Sequence, residues 1–263
     1  MYSDLFKYAA GCAAFLLVSC SVKEDRSACP CYLTVDPSCV FLPLEEDLAS
    51  LDVAGAGEFL LTQELYEVNG PEPFVVEVPR PNVYLTVHSG AEDCFVPGEG
   101  IRIPPGEQCP PVYLYSRRIV TDGETAEAAP LLSKQYCLLT VRIVPVNDVF
   151  LEAVHLSVEG NVCGYNLDAS PAPGAFRREV APSADGLCEM RRPRQRDNSL
   201  MMQVLEGERS LRWFALGEYI AASGYDWTTP DLEDIYLSID YAATEFTIHV
   251  NDWQTTVERE VLI

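Results

Sequence analysis

Beyond residue 30 apolar and polar positions alternate with a period of two, the pattern of half-buried β-strands. In VYLTVH (83–88), Val83, Leu85 and Val87 face one way and Tyr84, Thr86 and His88 the other. The same alternation runs through VHLSV (154–158), IYLSID (235–240) and FTIHV (246–250). Weaker strand patterns occupy 31–35, 58–67, 74–78, 112–116, 137–143, 200–205 and 257–263. Turn formers stand between them, among them Asn69-Gly70-Pro71, Pro79-Arg80-Pro81, Pro97-Gly98, Asp122-Gly123 and Pro171-Ala172-Pro173-Gly174. Many short strands punctuated in this way predict a mainly β protein of antiparallel β-sandwiches, since an α/β sheet would need long intervening helices. One short helix is expected over LRWFALGEYIAA (211–222), with Leu211, Phe214 or Ala215, and Tyr219 on one face. Gly217 within it costs about 1 kcal/mol relative to Ala. The polar, Ala-rich, Pro-broken stretch 121–134 separates two groups of strands and predicts two domains, 31–125 and 130–263.

The first thirty residues follow another pattern. YAAGCAAFLLVS (8–19) is an apolar block too short for a bilayer-spanning helix, which needs roughly 20 residues, and Lys23, Glu24 and Asp25 follow at once. Residues 1–19 therefore read as a signal peptide. Leu17-Val18-Ser19-Cys20 resembles a bacterial lipobox, with cleavage between Ser19 and Cys20 and acylation of the Cys20 sulfur; a signal anchor or an ordinary cleaved signal is the alternative. Acyl chains contribute about 0.8 kcal/mol per buried methylene, so several on one cysteine hold a protein firmly to a membrane. Residues 20–30 then form a tether. Lys23-Glu24-Asp25 resembles the export tag of Bacteroidota surface lipoproteins, although charges beside a lipid also serve simply to keep a tether in water.

Charge narrows the partners. The net charge is −22, and it stays so without residues 1–19, which carry one acid (Asp4) and one base (Lys7). Nucleic acid is disfavoured, because binding it requires a basic face. Not one Lys or Arg occurs between Ser27 and Pro79, whereas Arg177, Arg178, Arg191, Arg192, Arg194 and Arg196 crowd a region that reads as a solvated loop, or as a surface for an acidic partner. With Cys12 in the signal and Cys20 acylated, Cys29, Cys31, Cys39, Cys94, Cys109, Cys137, Cys163 and Cys188 are left. Their even number in an exported chain permits disulfides, with connectivity open. Cys137 shares parity with Leu139, Val141 and Ile143 and reads as a buried thiol. Cys29-Pro30-Cys31 lacks zinc-ligand spacing, and no metal site is expected. His88, His155 and His249 all fall on polar faces of strands and are expected in solvent. No nucleophile elbow, HExxH or phosphate loop occurs, and no pair of acids stands out, so neither catalysis nor a cofactor or small-molecule substrate is expected.

Several segments in order carry a resemblance: CSVKEDRSACPCYLTVD (20–36), VYLYSRR (112–118), CLLTVRI (137–143), LSVEGNVCGYNLD (156–168), LGEYIAASGYDW (216–227) and FTIHVNDWQTTVEREVLI (246–263). Together they look like the FimB-type fimbrial anchor lipoproteins of Bacteroidales. The resemblance implies two tandem transthyretin-like β-sandwich domains. It also implies a place at the base of a type V pilus, lipid-anchored in the outer membrane and exposed at the cell surface, with other fimbrial subunits as partners.

Subunits of such fibres join by strand addition, one lending an extended segment to an open sheet edge of the next, after an arginine-directed protease removes a first strand. Here a cut that removed strand 31–35 alone has no Lys or Arg to use before Arg80, and a cut at Arg26 would release the lipid. The chain is thus expected to keep its first strand and to end a fibre. Phe246, Ile248 and Val250, then Val257, Val261 and Ile263, alternate as an inserted or edge strand would, or as an ordinary hairpin of the second sandwich. Two other functional readings stay open: a glycan-binding surface lipoprotein, and a stalk or tip subunit.

Overall fold

The computed structural model describes residues 29–40, 48–55, 60–66, 73–144, 153–240, 245–250 and 253–257. The architecture is mainly β, and one α-helix lies among these residues. The first sandwich opposes a three-stranded sheet, in the order β4-β1-β9, to a five-stranded sheet, β10-β8-β5-β2-β3. Its strands are β1 (Cys31–Val35), β2 (Leu48–Gly55), β3 (Leu60–Tyr66), β4 (Phe74–Val78), β5 (Asn82–Ser89), β8 (Tyr113–Val120), β9 (Thr125–Ala128) and β10 (Ser133–Lys134). Period-two residues fill its core: Leu33 and Val35 from β1, Val76 and Val78 from β4, Val83, Leu85 and Val87 from β5.

In the second sandwich one sheet runs β14-β11-β17-β18-β19, from β11 (Tyr136–Val144), β14 (Leu187–Pro193), β17 (Ile235–Asp240), β18 (Glu245–Val250) and β19 (Trp253–Val257). The other joins β16 (Arg209–Phe214), β15 (Met201–Glu206) and β12 (Val154–Asn166), with β13 (Pro171–Val180) also on β12. Its last two strands come from the first half of the sequence: β7 (Gly100–Arg102) pairs with the end of β12, and β6 (Phe95–Val96) pairs with β7. The trade runs both ways, because β10, just before the second sandwich begins, pairs with β8 of the first.

The two sandwiches share one wiring. The strand that opens the first, β1, lies between β4, antiparallel, and β9, parallel. The strand that opens the second, β11, lies between β14, antiparallel, and β17, parallel. These two parallel pairs depart from the all-antiparallel expectation. The stretch 121–134 is not a bare linker, since it carries β9 and β10.

The helix α1 (Leu216–Ala222) is shorter than expected, because Arg209–Phe214 is a strand paired with β15. Leu211 and Phe214 therefore belong to the sheet. Gly217 has a packing reason: a Cβ there would lie 2.2 Å from the carbonyl oxygen of Asn198. In the Arg-rich region Arg177 and Arg178 lie in β13 and Arg191 and Arg192 in β14, while Arg194 and Arg196 follow β14 outside the strands.

Candidate functional site

The strand that opens the first sandwich, β1, is held on every side. Cys31, Leu33 and Val35 are buried in the core, while Tyr32 is exposed on the outer face. Pairing covers its whole length, from Cys31 opposite Val78 to Val35 opposite Phe74. On the other side Tyr32 to Val35 run in register with Thr125 to Ala128. Backbone bonds close both ends: Tyr32 N donates to the Glu124 carbonyl at 2.9 Å, and Asp36 N to the Ala128 carbonyl at 2.8 Å. The Asp36 carboxylate then accepts from Ser38 N at 2.9 Å and turns the chain out of the sheet. Removing β1 would strip Leu33 and Val35 from the core and leave facing backbone groups of β4 and β9 without partners, which is costly in a buried setting. With β1 in place the groove is filled.

A second feature lies where the sandwiches meet. Ala91, Ile101, Val112, Leu114 and Tyr165 form a small shared core, and Tyr165 is wholly buried in it. The Tyr165 hydroxyl donates to the Gln135 carbonyl and accepts from Arg194 N at 2.7 Å. Burial pushes that phenol well above its ordinary pKa, so it stays a donor. Arg194 extends the network through Nε to Gln135 Oε1 at 2.9 Å and through its other nitrogens to the Trp227 and Pro230 carbonyls. A cleft of about 730 Å³ opens beside this network, with Leu114, Tyr115 and Arg117 on one wall and Arg194, Asp197 and Trp227 on the other. Tyr225 and Trp227 meet edge to face there, with centroids 4.7 Å apart. Asp197 and Asp226 are held below the usual carboxylate range, chiefly by the hydroxyls of Ser199 and Thr228. Each accepts hydrogen bonds within its own turn, Asp197 from Ser199 N and Asp226 from Thr228.

The other residues singled out in the sequence fall as follows. Arg178 donates to the Gly106 carbonyl at 2.9 Å and Arg191 to the Cys109 carbonyl at 2.7 Å, while Arg177 pairs with Glu159 and Glu179. Arg192 is 1% exposed and stacks on Phe176. Arg177 and Arg196, the latter bridged to Asp197, are exposed and fit the picture of a solvated charge. The arginines therefore stitch the fold together and do not form an open basic face.

His88 is not in solvent. It is 1% exposed, stacked on Phe95 of β6 at 4.3 Å, with Asp52 at 3.4 Å. The β6–β7 hairpin covers what the local alternation marks as an outer face. His155 is half-buried near Glu179, and His249 is a residue of β18. Cys29, Cys31, Cys94, Cys109, Cys137, Cys163 and Cys188 are all free thiols. Cys137 is fully buried, and burial pushes its pKa up to about 12. Among the described residues no group of three or more His, Cys, Asp or Glu comes together to hold a metal ion.

Ser19, Cys20, Lys23, Glu24 and Asp25 lie outside the described residues, as do Val261 and Ile263. Phe246, Ile248 and Val250 belong to β18, in register with Ile239, Leu237 and Ile235. Val257 ends β19, which closes the sheet order at that side. Sequence reading missed Tyr165. Register shifts in β12 after Gly160 and Val162 break the parity that Val154 to Val158 establish, so counting by twos leads to the wrong face.

No protein-family model matches the chain, and no curated protein matches it in sequence. Solved structures do match in fold. The fimbrial anchor protein Mfa2 of Porphyromonas gingivalis superposes with a TM-score of 0.59 at 13% identity, over 88% of this chain and 100% of that one. A Bacteroides thetaiotaomicron protein provisionally described as polysaccharide-binding gives 0.60 at 12% identity, over 87% and 98%. A Bacteroides ovatus protein provisionally described as an adhesin gives 0.57 at 10% identity, over 88% and 95%. In fold, the chain is similar over most of its length to β-proteins that include a fimbrial anchor.

Proposed function

We propose that this chain is a surface lipoprotein that holds a fimbrium to the outer membrane and ends its assembly. Acylated Cys20, exposed by cleavage after Ser19, is the membrane anchor, and Lys23, Glu24 and Asp25 direct it to the cell surface. The observation that carries the reading is the seat of β1, buried on its core face and paired on both flanks. A subunit whose groove is filled by its own first strand cannot accept one from the next subunit. Its contribution to the fibre is then an edge. The β18–β19 hairpin, with Phe246, Ile248, Val250 and Val257, followed by Val261 and Ile263, is the segment we assign to that contact.

Two measurements test this. Cys20→Ala should move both the protein and its fibres from the membrane fraction to the medium; retention in the membrane would refute the anchor. Mass spectrometry of the subunit in assembled fibres should find β1 still attached to an acylated N-terminus. A mature form beginning between Asp36 and Arg80 would instead make it a polymerising subunit.

The cleft supports a second reading. Tyr225 and Trp227 at its wall, beside arginine and aspartate, are groups suited to a sugar ring, and pockets favour such seams between sandwiches. Retardation of the purified protein in polysaccharide gels, lost on Trp227→Ala, would favour glycan binding over anchoring.

A further inference from the structure

The seam between the sandwiches contains two glycines that face each other's strands. Gly100 of β7 has φ +104°, and a Cβ built on it would lie 2.3 Å from the carbonyl oxygen of Tyr165. Gly164 of β12 has φ +146°, and its Cβ would lie 2.1 Å from the carbonyl oxygen of Ile101. Both backbones adopt conformations that residues with a Cβ rarely reach, and both contacts are with backbone, which cannot swing aside. Only glycine at each place lets β7 and β12 come together, with Gly164 opposite Arg102, Tyr165 opposite Ile101 and Asn166 opposite Gly100.

We propose that Gly100 and Gly164 form a backbone latch that makes the two sandwiches one cooperative body, with Tyr165 as its bolt. By default, domains in one chain move relative to each other unless their interface is large and apolar. Here the interface is a continuation of the sheets themselves. β7 carries the second sandwich's sheet into the first half of the sequence, and Ile103 N adds a bond to the Cys163 carbonyl at 2.7 Å. At the same seam β10 pairs with β8, and Gln135 N donates to the Val112 carbonyl at 2.9 Å. Arg102 braces the latch by donating to the Tyr165 carbonyl at 2.8 Å and to Asn166 Oδ1 at 3.3 Å. The Tyr165 ring fills the shared core between these two strand pairings, and its hydroxyl ties Gln135 to Arg194. Any hinge motion between the sandwiches would have to break both pairings together and expose that ring. A pull on one sandwich is thereby passed to the other through hydrogen-bonded backbone. This holds wherever the protein works in a fibre and is tested separately from the anchoring reading.

The tryptophans make the test direct. Trp213, Trp227 and Trp253 all lie in the second sandwich, so tryptophan fluorescence follows that sandwich while far-UV circular dichroism follows both. In urea, the intact chain should give coincident transitions by the two probes; separated transitions would overturn the proposal. Gly164→Ala should split the transitions, with the dichroism beginning to change at a different urea concentration from the fluorescence. Coincident, unshifted transitions in that variant would also overturn it. Should Gly164→Ala fail to fold, Tyr165→Phe decides. It keeps the ring and removes only the hydroxyl's two bonds, and it should lower the midpoint of both probes together. A shift in one probe alone would show that the sandwiches unfold separately.

Discussion

The Arg192 guanidinium lies 4.6 Å from the centroid of the Phe176 ring, inside the protein, with the sulfur of Met190 at 2.6 Å as its closest polar contact. Its Nε has no hydrogen-bond partner among the described residues. Burial lowers its pKa to about 9, so it carries its charge at neutral pH. A desolvated cation over an aromatic face recovers about 2 kcal/mol, less than the several kcal/mol that burial of an ion costs. Arg192→Met, which fills the same space without the charge, should leave the protein as stable or more so. Arg192→Ala should destabilise it by roughly 2–4 kcal/mol through the cavity left behind. Urea midpoints of the two variants check the opposite signs.

Position 192 also shows what the sequence could and could not tell. Cys188, Met190 and Arg192 alternate on one face of β14, so a buried arginine was legible by parity; it was obscured by the charged neighbours that made the run look like a loop. β13 was hidden by Pro171, Pro173 and Gly174, which read as a turn. Among the described residues β13 pairs with β12 alone, and a strand with one open flank tolerates proline. Strands β5 and β17 were plain because each alternates between a core face and a polar face. The cover over His88 was not, since β6 and β7 span two and three residues, too short to show any period. The filled seat of β1 followed from its alternation only in part: its two neighbours come from residues 74–78 and 125–128, and no local pattern specifies such pairings.

Gly217 should reverse an ordinary expectation. In an exposed helix Gly→Ala is favourable by about 1 kcal/mol. Here the added methyl meets the Asn198 carbonyl at 2.2 Å, so Gly217→Ala should lower stability, and a raised melting temperature would contradict the packing described for α1.

Leu33 offers a measure of how firmly β1 is seated. Leu33→Ala should destabilise the first sandwich by about 2–5 kcal/mol, the range for leucine truncation in a closed core. Limited proteolysis should then find cleavage near β1 in the variant and not in the parent chain.

Alkaline pH should weaken the fold. Burial pushes the thiols of Cys137 and Cys188 up to about 12 and raises those of Cys109 and the phenol of Tyr225 further. Each keeps its proton when folded after the unfolded chain has released it. Stability from these groups is complete below the unfolded values, near 8.5 for Cys and 10 for Tyr, and is lost as pH rises from there toward the folded values. Arg192, whose folded pKa is lowered, acts in the opposite sense between about 9 and its unfolded value, but it is one group against several. Urea midpoints should fall between pH 8 and pH 10. The same burial predicts that a thiol reagent labels exposed Cys29 quickly and Cys109, Cys137 and Cys188 only on unfolding.

The repeated wiring of the two sandwiches gives the molecule two equivalent berths, filled by β1 and β11. Gln135, immediately before β11, is held at the second by Tyr165 and Arg194. On the anchoring reading proposed above, a visiting segment would be added at an outer margin, as beside β19. Such an addition lengthens a sheet without dismantling its host.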